Sequence, residues 1–214
     1  MSTAPQLAGA ATRTATLDCD AEAVEPWEAL LSFDERCRAL AYRLPRDRHR
    51  FVVRRGWLRA LLAEETGLPA KDLRFAMGEH GKPYLPDLLG VEFSLSHSAG
   101  TALAAISTHG AVGCDIEARH PARADPRIAE RFFSPRERAD LARLPAEAWI
   151  DGFFAIWTRK EAVVKAIGTG LSLPLQSFSV TLGGPARIVE GAAGWQLQPF
   201  PAPPGFAAAL AYAA

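Results

Sequence analysis

A chain of 214 residues, 49% hydrophobic and 22% charged, can bury a full core and is not a disordered segment. Its 24 basic side chains balance its 24 acidic ones, which argues against a general nucleic-acid binder, and Cys19, Cys37 and Cys114 match neither a disulfide framework nor a zinc spacing. No apolar run is long enough to span a bilayer and residues 1–15 lack a signal-peptide pattern, so the expectation is a cytoplasmic protein without a membrane partner.

Residues 1–16 read as a loose tail or an edge strand. Pro26–Leu31 and Asp34–Leu44 read as short helices, the second capped by Asp34. Arg46–Thr66 has helical apolar spacing and stops at Gly67; its arginines make one face basic, either solvated or anion-binding. Leu73–Met77 reads as a strand, and two glycines and two prolines make Gly78–Pro86 a loop containing Gly81-Lys82-Pro83. Val91–Leu95 and Ala102–Ser107 read as strands flanking Ser96-His97-Ser98-Ala99-Gly100, taken as a turn whose N–H groups and side chains suit an anion. Adjacent Ser and His point apart in extended chain and no G-x-S-x-G elbow is present, so a hydrolase triad has little support. The Walker and dinucleotide-binding glycine patterns are missing too.

Val112-Gly113-Cys114-Asp115-Ile116-Glu117 alternates with period two, which puts Asp115 and Glu117 on one face of a strand. Two carboxylates so placed repel unless water or a cation lies beside them. Ser134-Pro135-Arg136-Glu137 is a capping box that starts a helix running to about Leu144. Glu147–Ile167, closed by Gly168, is the long helix, and it carries Glu161 and Lys165 one turn apart on one face. Leu173–Leu182, Ala186–Val189, Trp195–Pro199 and Phe206–Tyr212 complete the elements as strands. Three carboxylates with a lysine at their edge would make a hard oxygen site suited to Mg²⁺-assisted phosphate chemistry. Lysine is scarce in this Arg-rich chain, and Lys82, Lys160 and Lys165 all fall in these segments.

Taken together, His49-Arg50, Gly81-Lys82-Pro83, Phe93-Ser94-Leu95-Ser96-His97-Ser98, Val112 to Glu117, and Trp157-x-x-Lys160-Glu161-Ala162-x-x-Lys165 resemble the 4′-phosphopantetheinyl transferases. The resemblance is to the larger type, which activates non-ribosomal peptide and polyketide synthases. It runs from about Asp34 to the C-terminus and includes Gly170 to Leu175 and Phe178-Ser179-Val180. Cys114 stands where isoleucine is common in the family.

The resemblance implies a pseudo-dimeric α+β monomer of two similar halves, 17–112 and 113–214, each with a small antiparallel sheet and a long helix. Coenzyme A would lie in the cleft between them. The implied reaction moves phosphopantetheine from coenzyme A to a serine of an apo acyl or peptidyl carrier protein and releases adenosine 3′,5′-bisphosphate. Asp115, Glu117 and Glu161 would hold Mg²⁺ or Mn²⁺, with Lys165 on the same phosphates. Ser96 and His97 would meet coenzyme A phosphates, with Arg36 and Arg50 as further partners of the 3′-phosphate, and Gly81, Lys82 and Pro83 would line the adenine. Glu161, directly or through a metal-bound water, would take the serine proton. Arg127, Arg131, Phe132 and Phe133 are read either as a docking patch for an acidic carrier or as a solvated helix with its phenylalanines in the core. Two other readings compete: a coenzyme A-binding protein without turnover, and a Mg²⁺-dependent nucleotide phosphohydrolase.

Overall fold

The structure, a computed structural model, describes residues 10–214, so the expected tail at 1–9 lies outside the described residues. From Ala10 the chain is ordered into strand β1 (Ala10–Thr16), followed by helices α1 (Glu25–Glu28), α2 (Phe33–Leu40) and α3 (Pro45–Thr66). Short strands β2 (Ala76–Met77) and β3 (Pro83–Tyr84) precede β4 (Glu92–Ser98), β5 (Thr101–Ser107) and β6 (Val112–Ala118). Helices α4 (Pro126–Phe132), α5 (Pro135–Ala142) and α6 (Ala146–Ile167) lead to β7 (Ser179–Val180), β8 (Ile188–Glu190), β9 (Trp195–Pro199) and β10 (Phe206–Ala213). The class is mixed α+β.

Helix starts follow local chemistry. Ser32, not Asp34, caps α2, because Glu35 three residues on returns the bond: Glu35 N–H donates to Ser32 Oγ at 3.3 Å and Ser32 N–H to Glu35 Oε2 at 2.9 Å. Ser134 and Glu137 make the same box for α5, as read from sequence. Gly67 and Gly168 end α3 and α6 in the left-handed region, at φ 71° and 79°. In the expected strand at Leu173–Leu182, Leu175–Ser177 form a 3₁₀ turn after Pro174, which lacks a ladder donor, and only β7 is strand.

Two three-stranded antiparallel sheets dominate, ordered β1-β5-β4 and β6-β10-β9. β1 pairs along its whole length with β5, so residues 10–16 belong to the first sheet. Helix α3 packs the first sheet around Phe51, Leu58, Leu62, Phe93 and Ala104. Helix α6 packs the second around Phe153, Ile156, Val163, Ala209 and Ala211. A third cluster, with Leu103, Ala105, Val112, Cys114, Ile116 and Leu210, takes residues from both sheets where they meet.

At that meeting β4 and β6 run parallel, joined through side chains. Ser96-His97-Ser98 is therefore the end of a strand, not a turn, and Ala99-Gly100 alone makes the reversal. Alternation from Ser94 to Ser98 puts the serines on the buried face and His97 on the exposed one. Helix α6 lies directly on β6 at Gly113, where a Cβ would collide with Ala162 O and the Ala166 backbone. That contact brings Glu161 and Lys165, one turn apart on α6, beside Asp115.

Candidate active site

Asp115 is 3% exposed, so it is a buried group and not a solvated strand-end residue. Its Oδ1 accepts from Lys165 Nζ at 2.6 Å and from Ser96 Oγ at 2.7 Å. Its Oδ2 is buried without a partner. Glu117 Oε2 accepts from Ser98 Oγ at 2.6 Å, and Arg123 Nη1 stands 3.7 Å from it. Among the described residues, no hydrogen bond reaches the Glu161 carboxylate. Burial first, and then the charge of Asp115, push the Glu161 carboxyl above its ordinary range. Glu117 is pushed up by burial, offset in part by Ser98 and reinforced by Asp115. Burial draws Lys165 down, but Asp115 and Glu161 outweigh it and hold the ammonium charged.

Among the described residues no three His, Cys, Asp or Glu side chains stand close enough together to form a ready metal cluster. Lys165 occupies Asp115, and Ser98 occupies Glu117. The donor set nonetheless fits a hard cation. An orphaned buried carboxylate oxygen is rare in a folded protein, and mutually repelling carboxylates with raised pKa values are relieved by a divalent ion.

A cavity of about 310 Å³ opens from Glu161 and Lys165 to Gly81, Lys82 and Pro83, with Phe93, Leu95 and Val164 as apolar walls. Lys82 Nζ does not point freely into it. It donates to Ala166 O at 3.2 Å, to Val112 O at 3.3 Å and to Glu92 Oε2 at 3.3 Å, tying the loop to the C-terminal end of α6 and the start of β6.

A second recess, of about 390 Å³, gathers Arg46, Arg50, Arg54, His97 and Arg123. Arg54 and Arg123 were not among the residues singled out from sequence: Arg54 was one of many arginines on a basic helix, and Arg123 arrives from a distant segment. The Arg50 guanidinium forks onto Asp18 at 2.6 and 2.7 Å. Asp18 can approach because Gly100 lacks a Cβ, which would strike its carboxylate. The surrounding protein first, then Arg54, Lys165 and Arg50, lower His97 to about 4, so the ring is neutral at pH 7. Arg36 does not join this recess. Its Nε and Nη2 donate to Leu31 O at 3.2 Å and Ala29 O at 3.4 Å, capping the end of the α1 segment.

The segment after β6 divides. Arg127 is exposed and pairs with Asp125 at 2.7 Å. Arg131 is exposed, and its guanidinium lies 5.2 Å from the Phe132 ring centre. Phe132 is half-buried, edge-on to Trp157, whereas Phe133 is 0% exposed and lies in the core tilted against Phe153. The docking reading therefore fails for Phe133, which follows the core reading. A groove of about 390 Å³ walled by Ile128, Phe153, Phe154 and Trp157 runs up to Glu117. No local pattern marks it, because its walls come from α4 and α6, which only the folded chain brings together.

The fold and site thus define a mixed α+β protein with a carboxylate–lysine cluster set between a part-apolar cavity and an arginine-rich recess. The sequence profile of the 4′-phosphopantetheinyl transferase superfamily matches residues 111–211. The chain is 37% identical over 169 residues to the Bacillus subtilis 4′-phosphopantetheinyl transferase ffp, covering 77% of this chain and 73% of that one. It is 36% identical over 185 residues to the Nostoc sp. 4′-phosphopantetheinyl transferase HetI, covering 85% and 78%. A second B. subtilis 4′-phosphopantetheinyl transferase is 38% identical over 148 residues, 69% of this chain, and is matched over 64% of its own length, just under two thirds. The chain belongs to the 4′-phosphopantetheinyl transferase family. No helix among the described residues is long and apolar enough to cross a membrane.

Proposed function

We propose that this protein transfers 4′-phosphopantetheine from coenzyme A to a serine hydroxyl of an apo carrier protein. The observation that carries the reading is the convergence of Asp115, Glu117, Glu161 and Lys165 beside a cavity on one side and a cationic recess on the other. The two sheets then act as the two halves of a pseudo-dimer, with β1 extending the expected first half, 17–112, back to Ala10 and β6 starting the second at Val112, and coenzyme A lies across the cleft between them. Gly81, Lys82 and Pro83 line its adenine. Arg50, His97 and the newly seen Arg54 take its 3′-phosphate.

Asp115, Glu117 and Glu161 are the residues that would hold Mg²⁺, which supplies charge neutralisation on the pyrophosphate. The chain's own groups do the rest. Lys165, kept charged by Asp115, turns its ammonium to the same phosphates. Glu161, whose carboxyl is raised, accepts the proton of the carrier serine. The serine oxygen bonds to the β-phosphorus as the bond to the bridging oxygen breaks, and adenosine 3′,5′-bisphosphate leaves with that oxygen.

Following adenosine 3′,5′-bisphosphate tests the reading. Its release is expected only when coenzyme A, Mg²⁺ and an apo carrier are all present. Release without the carrier marks a phosphohydrolase, and binding without release marks a coenzyme A-binding protein.

The recess gives a second expectation. Dephospho-coenzyme A is expected to bind the parent less tightly than coenzyme A, and His97→Ala is expected to shrink that preference, because the lost contact no longer discriminates. Calorimetric titration of both ligands into both proteins measures it; an unchanged preference in the variant gives His97 another role. The ring is neutral before binding, so a phosphate that raises its pKa draws in a proton between pH 4 and 7. The same titrations in two buffers of different ionisation heat show this uptake.

We place carrier docking at Arg127 and Arg131, with Phe132 at its edge. Arg127→Glu with Arg131→Glu is expected to raise KM for the carrier severalfold, more at low salt, and to leave KM for coenzyme A unchanged. Steady-state kinetics with each substrate varied decides it: a carrier KM at the parent value moves docking elsewhere.

A further inference from the structure

The serines of β4 join the two sheets by a repeated contact. Cys114 N–H donates to Ser94 Oγ at 3.0 Å, Ile116 N–H to Ser96 Oγ at 3.3 Å, and Ala118 N–H to Ser98 Oγ at 3.1 Å. All three serines are buried, at 5%, 6% and 3% exposure. A hydroxyl that accepts in this way still has its own proton to place. Ser96 places it on Asp115 Oδ1 at 2.7 Å and Ser98 on Glu117 Oε2 at 2.6 Å. In each case the acceptor is the residue just before the donated N–H. At the Ser94 position that residue is Gly113, which has no side chain to receive it.

Ser96 is fully engaged. It also accepts from Lys165 Nζ at 3.0 Å, so its proton and both lone pairs are taken and no donor is left for a ligand phosphate. Ser98 faces the same way, into the sheet junction and away from solvent.

We propose that Ser96 and Ser98 are positioning residues: their hydroxyls set the aim of the Asp115 and Glu117 carboxylates from the opposite sheet. Ser98 is the clearer case because Glu117 has an alternative partner. With its hydroxyl removed, the Ala118 N–H loses its acceptor, Arg123 loses its 3.5 Å contact to Ser98 Oγ, and Glu117 is free to close on Arg123, whose Nη1 already pairs with its Oε2 at 3.7 Å. A carboxylate drawn to Arg123 is lost to a cation shared with Asp115. The inference rests on the reading of Asp115 and Glu117 as cation ligands.

The test titrates Mn²⁺ into the full chain saturated with coenzyme A, against coenzyme A alone, and follows free Mn²⁺ by electron paramagnetic resonance. Ser98→Ala is expected to weaken Mn²⁺ binding about tenfold, as loss of a partner behind a metal ligand commonly does. Ser98→Thr, which keeps the hydroxyl, is expected to restore most of it. Ser94→Ala removes the same kind of inter-sheet bond without touching a carboxylate, so it is expected to lower thermal stability as much as Ser98→Ala while keeping the parent's Mn²⁺ affinity. Parent affinity in Ser98→Ala, or an equal loss in Ser94→Ala, overturns the inference and leaves the cation reading standing. A parent protein that binds no Mn²⁺ beyond the coenzyme A blank removes the cation reading and the inference with it.

Discussion

Asp115→Asn and Glu161→Gln are each expected to lower kcat/KM by roughly a thousandfold, about 4 kcal/mol of transition-state stabilisation. These isosteric changes are preferable to alanine, because Asp115 is buried and holds Lys165 at 2.6 Å. Truncating it would leave a lysine beside a hole and confuse lost chemistry with lost structure. Asparagine keeps the shape and an acceptor oxygen but removes the charge that balances Lys165 and would bind a cation. Glutamine at Glu161 keeps the packing on α6 and removes the carboxylate proposed to accept the serine proton. Glu117→Gln is expected to be milder, since water can replace one ligand of Mg²⁺. Initial rates at saturating Mg²⁺, with circular dichroism to verify folding, measure all three. Near-parent rates in both Asp115→Asn and Glu161→Gln would remove the proposed site.

The second large effect is on stability. Lys160→Met is expected to destabilise the fold by about 3–5 kcal/mol, because it strands a buried carboxylate. Lys160 and Glu137 are both 0% exposed and meet at 2.7 Å. Lys160 Nζ also donates to Phe178 O at 2.7 Å, and Glu137 accepts from Val180 N–H at 2.8 Å and Ser134 N–H at 2.7 Å. Burial draws the Lys160 ammonium below its ordinary pKa, and Glu137 pushes back. One ion pair thus closes the polar groups of α5, α6 and β7 around a dry site and fixes the rotation of α6, whose next residue is Glu161. Glu137→Gln in the Lys160→Met background is expected to recover part of the loss, since the stranded charge is gone. Urea unfolding of the parent, the single and the double variant reads this directly. A Lys160→Met loss below about 1 kcal/mol would mean that water reaches the pair.

Elements whose signals are local are legible in the sequence. Both long helices end at the glycines expected, and the Ser134 capping box starts α5 where it was placed. Features that depend on a partner from another element are not legible there. Ser96-His97-Ser98 carries turn-forming residues, yet pairing with β5 makes it a strand end, and β6 N–H groups donate to its two serine hydroxyls. The basic face of α3 reads as solvated or anion-binding, and its pattern does not show that Arg59 is buried on Glu35 of α2 at 2.7 Å or that Asp18 pairs with Arg50. Period-two spacing put Asp115 and Glu117 together on one face. It did not show that Lys165 and the serines would occupy them, because those groups come from a helix and a strand remote in the chain. Nothing local sets Arg54 apart from the other arginines of its helix, or marks Arg123; only the folded chain brings them to His97.

Transfer to a carrier is the central claim, and intact-mass spectrometry of the carrier tests it most directly. An apo carrier protein incubated with this protein, coenzyme A and Mg²⁺ is expected to gain the mass of one phosphopantetheinyl group, with fragmentation placing it on a serine. The gain is expected to vanish with Glu161→Gln. A carrier that keeps its apo mass with the parent protein, across acyl and peptidyl carriers alike, would contradict the account.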